Sequence, residues 1–392
     1  MTKADSRAKA AGQPAVDLLV AGGGVMGLWT ALLAARRGLS VHLFERRRIG
    51  AGASGGVLGA LMPHLPDRWN AKKAFQFEAL VSLEGEVATL EAATGLSVGY
   101  RRSGRLIPLP KPHNRDIALR HAQDALSVWT APGRAFPFEV LDAAPVAGWP
   151  AEQAMACGLV HDGLAARIAP RALLAALHAA LETLPHVTIS EGVAVERIDP
   201  AAGRAWSDGG EALGFGTCVL AAGVETFPLM MPLAPPLARP LGTAVKGQAA
   251  LLRAAVDPAF PVIFADGLYI VPHEDGLVAI GSTSENGFSD PEGTDSQLDT
   301  LIEKARRMAP ALADAEVVER WAGLRPKAIG RDPMVGRHPD HGNVSLMTGG
   351  FKVSFGLAHA LAGAVVNEIE GGTLSIPPSF TVAAHFEEAG RI

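Results

Sequence analysis

At 392 residues the chain is too long for one small domain and reads as two or three units of ordinary size. A hydrophobic fraction of 48% supports a large core, and a charged fraction of 19% excludes a disordered polyelectrolyte. The net charge of −5 gives no basis for general affinity for nucleic acid, and no such partner is expected.

Residues 1 to about 13 read as a disordered tail. Residues 18–35 carry no charge and follow Lys3, Arg7 and Lys9, a profile that hydropathy alone would assign to a signal peptide or a span. Three consecutive glycines near its middle argue against a span, and a nucleotide-binding unit explains the same residues. Residues 17–21 are an apolar run of strand length. Gly22, Gly24 and Gly27 follow in the spacing G-x-G-x-x-G. Residues 25–37 have helical periodicity ended by Gly38, and residues 40–45 form a second strand that finishes on Glu45. The first glycine permits a tight turn, the second lets a pyrophosphate approach the backbone, and the third lets helix and strand pack closely. The helix N-terminus offers N–H groups and a positive dipole end to the phosphates. Glu45 lies 23 residues after Gly22 (45 − 22), near the ~20 at which an acid meets a ribose hydroxyl. The frame predicts an adenine dinucleotide site.

A glycine-rich loop follows, in which Ser54, Gly55 and Gly56 are expected to turn backbone N–H groups toward a second anionic group. His64 is expected to be a structural hydrogen-bonder rather than a reaction-site residue. The basic clusters Arg46–Arg48 and Arg101, Arg102, Arg105 are expected on solvated faces. Helices are expected over 75–95 and 114–129, with a strand at 104–110 between them and short broken elements over 130–168. Residues 169–184 read as a helix, followed by two strand-like pieces around Gly192. A hairpin turning at Gly209–Gly210 leads into a buried strand, 217–223, that contains Cys218. With only Cys157 besides, no disulfide framework is expected, and a reducing, cytoplasmic setting fits. Strands at 248–253, 262–265, 268–272 and 277–281 suggest an antiparallel substrate sheet. A helix at 297–308, a strand at 344–348 and a closing helix at 357–369 complete the pattern.

The glycine turn with Glu45, VLAAG ending at Gly223, GLYIVPHEDGLVAIGST, WAGLRP and TGGFKVSFGLA fall in one order. In that order the chain resembles the FAD-dependent amine and amino-acid oxidases, the family of D-amino acid oxidase, glycine oxidase and monomeric sarcosine oxidase, over about residues 15–372. The resemblance implies an α/β fold: an FAD-binding Rossmann-like domain interleaved with an α+β substrate domain of antiparallel sheet and helices. The expected segments are 14–80, 151–226 and 321–392 for the FAD domain, and 81–150 and 227–320 for the substrate domain. It implies FAD as the dinucleotide, and a small amine or amino acid as substrate. A hydride leaves the carbon bearing nitrogen for flavin N5, the imine hydrolyses, and dioxygen or an electron carrier reoxidises the flavin. A carboxylate is best aimed by a planar guanidinium fork.

Arg325 in GLRP then matches the carboxylate anchor. Lys352 matches the basic residue placed over the flavin, and Tyr269 the tyrosine beside the substrate. The implied cofactor contacts are Gly22, Gly24, Val25, Met26, Gly27, Glu45 and Arg46, then Ala53, Ser54, Gly55 and Gly59. Further along the chain they are Val195 at the adenine, Ala222, Gly223 and Arg325, and the run Gly349, Gly350, Phe351, Lys352 and Val353. Gly349, Gly350 and Val353 are expected to offer backbone donors near the ring. No cysteine follows GLRP, so FAD is expected to be non-covalent, and no metal site is expected. The strand LVAIGST lacks the oxygen-activating lysine of sarcosine oxidases, and Lys246 is the nearest alternative. The loop GASGGVLGALMP is closer to the oxidase half of the tRNA wobble-uridine modification enzyme. This leaves two alternatives: an oxidase of a tRNA carboxymethylaminomethyl group, or a flavin-binding subunit of a hetero-oligomeric dehydrogenase.

Overall fold

The computed structural model describes residues 16–390, so the expected N-terminal tail lies outside the described residues. The chain opens with strand β1 (Val16–Ala21), helix α1 (Val25–Arg36) and strand β2 (Val41–Glu45). Ten of the twelve residues of α1 are buried. A helix apolar on every side must lie inside the protein, which is why this stretch resembles a span in hydropathy. Gly38 follows it at φ +88°, a conformation that suits glycine. Among the described residues no helix is long and apolar enough to cross a membrane.

Helix α2 (Ala71–Thr94) starts one turn earlier than its periodicity suggests, because Asn70 caps it by accepting from the N–H groups of Lys72 and Lys73. Strand β3 (Arg105–Pro108), helix α3 (Pro112–Val128), strands β4 (Phe138–Leu141) and β5 (Leu159–Asp162) and helix α4 (Pro170–Glu182) follow. Strand β6 (Val187–Glu191) precedes a ribbon of β7 (Val195–Asp199) and β8 (Arg204–Ser207). The hairpin expected next forms between β8 and β9 (Ala212–Leu220), whose nine residues also include the expected buried strand. Its first half pairs antiparallel with β8 and its second half parallel with β1.

Two long strands carry the second half of the chain. Strand β10 (Gly242–Arg253) begins six residues before the expected 248 and pairs along its length with β14 (Glu316–Ala328), which contains WAGLRP. Between them lie β11 (Val262–Ala265), β12 (Leu268–Pro272), β13 (Leu277–Gly281) and helix α5 (Ser296–Met308). The chain ends with β15 (Met334–His338), β16 (His341–Thr348), helix α6 (Ser354–Ile369) and helix α7 (Val382–Glu388); β15 and α7 have no counterpart in the sequence pattern.

Parallel strands in the order β6-β2-β1-β9-β16 form the first sheet, with β15 and the β7–β8 ribbon added antiparallel. Cys218 is buried in β9 at its centre. One face packs under α1, α2, α4 and α6; the other covers Leu19, Leu220 and Leu346 with Val382 and Phe386 of α7. The second sheet runs β14-β10-β13-β12-β11-β3-β5-β4. One face, with Ala250, Ile263, Ile270 and Ile280, packs on α5 through Leu298 and Ile302.

The expected segment boundaries shift accordingly. Residue 80 falls inside α2, β5 still belongs to the second sheet beyond residue 150, and residue 320 falls inside β14. Sheet membership depends on partners distant in sequence, which local composition does not mark.

Gly27 shows why the third glycine is needed: a Cβ there would sit 1.9 Å from the Gly22 carbonyl oxygen. Gly27→Ala should cost about 1–3 kcal/mol or more through overpacking, read as a lowered urea midpoint with an unchanged slope.

Candidate active site

From β1 the chain passes to β2 on one side and after β9 to β16 on the other, so the adjacent C-terminal ends of β1 and β9 mark the switch point at which open α/β sheets take ligands. A cavity of about 1010 Å³ opens there. It runs from the β1–α1 turn to the free face of the second sheet and is lined by Gly22, Gly24, Val25, Met26, Glu45, Arg46, Ala53, Ser54, Gly59, Val195, Ala222 and Gly223. Tyr269, Arg325, Gly350, Phe351, Lys352 and Val353 line it as well. Of the expected contacts, Gly27, Gly55 and Gly349 lie off its walls. Gly27 serves helix packing. Gly55 closes a 3₁₀ turn and gives its carbonyl to Arg171. A Cβ on Gly349 would meet Ala328 at 2.7 Å.

The turn is pre-shaped for a dinucleotide. Gly22 has φ +115°, and a side chain on it would reach the Ala221 carbonyl oxygen at 2.5 Å. The Glu45 carboxylate accepts from Gly23 N–H (2.8 Å) and Arg47 N–H (2.9 Å), one on each oxygen. Each oxygen keeps a lone pair for a ribose hydroxyl. The Ser54 hydroxyl accepts from Val25 N–H (3.0 Å) at the start of α1. The expected anion cradle from Gly55 and Gly56 is not formed: their N–H groups donate to Gly52 (3.0 Å) and Ala53 (3.4 Å), because the 3₁₀ turn satisfies its own donors. Val353 likewise donates to Gly350 (2.9 Å) and Phe351 to Pro326 (3.1 Å), so Val353 is not the expected free donor. This turn leads directly into α6, which starts at Ser354, three residues before the sequence suggests. Phe351 takes φ +45°, a left-handed conformation unusual outside glycine, and the turn presents Lys352 to the cavity.

The second sheet supplies a floor in which small residues alternate with a few large side chains. Paired positions in neighbouring strands point to one face, so Trp321, Ala249, Gly281, Tyr269 and Phe264 form a row across β14, β10, β13, β12 and β11. Two residues along β10 and β14, Gly247 faces Gly323, and two further on, Val245 pairs with Arg325. The Arg325 guanidinium lies against Gly247, where a Cβ would be 2.0 Å from Nη2, and Nη1 donates to the Thr283 carbonyl (3.1 Å). Burial pushes its pKa down to about 10, opposed by Glu285 and Tyr269, so it remains charged at neutral pH. Among the described residues neither Arg325 nor Lys352 forms a salt bridge. Partial burial and then Arg325 hold the Lys352 ammonium below its ordinary pKa, although solvent reaches it. Tyr269 stacks against Phe264, with ring centres 4.6 Å apart, and burial raises its phenol pKa.

The remaining candidates separate. His64 lines the cavity at a solvent-exposed position, and its N–H donates to Gln76 (2.6 Å). Lys246 is off the cavity and buried against Glu285 (3.9 Å). The clusters expected on solvated faces include Arg105, which is 4% exposed, bonded to Asp162 (2.5 Å) and part of the lining. Its strand is interior, and the register with β5 sets Asp162 opposite it. Arg102 is drawn inward by the Leu80 and Leu164 carbonyls, while Arg46 pairs with Glu225 (3.1 Å). Sequence pattern alone missed Arg105, because its counter-ion is 57 residues away.

A glycine-turn dinucleotide cradle and a guanidinium without a carboxylate partner line one cavity between two sheets, an arrangement that suits a dinucleotide-dependent oxidoreductase. The chain matches the family model described as FAD dependent oxidoreductase, DAO, over residues 17–366, and belongs to that family of FAD flavoproteins acting on C–N bonds. It is 30% identical to a glycine oxidase of Pseudomonas aeruginosa, covering 96% of this chain and 99% of that one. A glycine oxidase of Pseudomonas putida is 29% identical over 93% and 97% of the two chains. The crystal structure of glycine oxidase from Geobacillus kaustophilus superposes with a TM-score of 0.81 at 23% identity, covering 94% of this chain and 98% of that one.

Two outcomes follow from the site's geometry. Glu45→Ala removes the acceptor for Gly23 and Arg47 and should weaken FAD retention by about 1–3 kcal/mol, measured as a higher dissociation constant from flavin fluorescence. His273 Nε2 lies 3.2 and 3.1 Å from the Val57 and Leu58 carbonyls, and so holds the cavity loop. Burial pushes its pKa from 6.5 down to about 4, so the unfolded chain takes up the proton first as pH falls. This contribution to stability is complete above about pH 6.5 and is lost as pH falls toward 4. His273→Gln should therefore flatten the decline in unfolding free energy between pH 7 and 5, read from urea titrations, by roughly 2 kcal/mol.

Proposed function

We propose that the protein oxidises the C–N bond of a small amino acid or N-substituted glycine, with Arg325 as the carboxylate anchor. The observation that carries this reading is a largely buried guanidinium without a carboxylate partner in the wall of the same cavity as the dinucleotide turn. FAD fits the glycine turn and Glu45, and when bound it supplies the hydride acceptor for the carbon bearing nitrogen, after which the imine hydrolyses in water.

The chain's own work is aiming. Arg325 is pinned on one edge by Thr283 and flattened on Gly247, so its free edge has a set direction for a bidentate carboxylate. Lys352 and Arg325 repel one another across the cavity, and a bound carboxylate relieves that repulsion. Tyr269 limits the substrate's position from the middle of the sheet and stays protonated at neutral pH, because burial raises its pKa. Trp321 and Leu58, packed over Gly56 and Gly281, keep the floor dry, which strengthens each charge–charge contact. The tRNA and subunit alternatives are not favoured, since the full-length likeness is to glycine oxidases.

Anaerobic bleaching of the bound flavin with glycine, sarcosine, D-amino acids and proline tests the reading. At least one member should reduce the flavin without an added partner protein, and a panel-wide failure would sink it. Arg325→Ala should lower kcat/KM for that substrate by about 2–5 kcal/mol, chiefly through KM. Wild-type turnover by this variant would remove Arg325 from the anchor role.

A further inference from the structure

We propose that Glu285 is a positioning residue for Arg325: it fixes Thr283 from behind the cavity wall, and the Thr283 carbonyl then holds the guanidinium ready for a substrate carboxylate. This rests on the anchor role of Arg325 proposed above. The Arg325 side chain starts from β14, where its backbone pairs with Val245 of β10. Its guanidinium lies over Gly247 of β10, and Nη1 donates to the Thr283 carbonyl (3.1 Å), two residues past the end of β13. The arginine therefore crosses β10 and is held from the far side. Every other polar group of Thr283 is already committed. Its N–H donates to the Gln248 carbonyl (3.2 Å), and its hydroxyl accepts from Gln248 N–H (2.8 Å) and donates to Glu285 Oε1. With these three contacts made, the carbonyl has a set direction, toward Arg325.

Successive residues of a strand point to opposite faces. Gly247 shares the cavity face with Ala249, so Lys246 and Gln248 lie on the other face with Ala250, which packs on α5. Lys246, Gln248 and Glu285 are all buried, and none of these three or Thr283 lines the cavity. The Gln248 amide donates to Glu285 Oε1 (3.0 Å) and Asp295 Oδ1 (2.9 Å) and accepts from Asp295 N–H (2.9 Å), which settles its orientation. Lys246 Nζ stands 3.9 Å from Glu285 Oε2, and the two backbones exchange hydrogen bonds of 3.0 and 2.9 Å. A buried carboxylate must have its charge and lone pairs met in this way, and a satisfied buried network is rigid. Burial pulls the Arg325 pKa down to about 10, and Glu285 is the larger of the two influences that oppose it. The acid thus supports the anchor's charge from behind the wall. An arginine stem has several rotatable bonds, and holding it before the substrate arrives removes an ordering cost from binding.

The test uses the FAD-loaded full chain and the amine of the panel that bleaches the flavin fastest. Thr283→Val keeps the shape of the side chain and removes the hydroxyl that Glu285 holds. It should lower kcat/KM about tenfold, chiefly through KM, and raise the propionate inhibition constant by a similar factor. Thr283→Ser keeps the hydroxyl and should stay within about twofold of wild type in both constants. In a double-mutant cycle, Thr283→Val should change kcat/KM by less than about twofold once Arg325 is already alanine, because its effect passes through that side chain. If Thr283→Val does not fold, the neutral pair Glu285→Leu with Lys246→Met replaces it and carries the same expectation. FAD affinity, read from flavin fluorescence, should be unchanged in the Thr283 variants. Wild-type constants in Thr283→Val, an equal loss of FAD affinity, or an undiminished loss in the Arg325→Ala background overturns the proposal while leaving the oxidase reading intact. If Arg325→Ala itself takes substrate and propionate like wild type, the anchor role fails and this inference fails with it. If no amine of the panel bleaches the flavin, the oxidase reading fails first and carries this inference with it.

Discussion

The cavity depends on side chains that are missing. Where the first sheet ends in its dinucleotide turn, the second sheet lines the cavity with Ala249 and Gly323, and Gly247 and Gly281 let Arg325 and Leu58 lie flat on it. Any larger residue at Gly247 would displace the Arg325 guanidinium, and one at Gly323 would strike the Trp321 ring. The large side chains that remain, Arg325, Trp321, Tyr269 and Phe264, stand around this floor. Close packing elsewhere makes the empty volume specific to one place.

Each end of the cavity has its own electrostatics. At the nucleotide end, orientation comes from backbone donors and one carboxylate, and the helix start gives partial positive charge. At the sheet end, whole cations are held with few opposing charges nearby. Glu285, the acid acting on Arg325, lies in a buried group with Lys246, Gln248 and Thr283. That group tethers Arg325 through the Thr283 carbonyl without neutralising it by direct contact.

Local geometry was legible in the sequence in fine detail at some positions and hardly at all at others. The turn from Gly22 to Gly27 and Glu45 was readable because every constraint on it is local: one tight turn, one helix start and one strand end. The GLRP strand placed Arg325 correctly on a sheet, although its full length was hidden. Ser54, Gly55 and Gly56 misled because glycine marks conformational freedom without stating which hydrogen bonds it serves. Val353 misled for the same reason, since its N–H is closed into the turn that starts α6. Arg105 was misread because an arginine in a basic cluster resembles a solvated one until its counter-ion is known.

By itself, the order of residues determined the dinucleotide turn, the apolar helix behind it and the family's run of motifs, all of which rest on interactions within a few residues. Only the tertiary structure decided that β9 serves two partners at once, that residues 105 and 162 form one ion pair, and that Arg325, Tyr269 and Lys352 meet in one cavity. Those outcomes depend on strand register and on the volume left between two sheets, and both are set by pairings across tens to hundreds of residues.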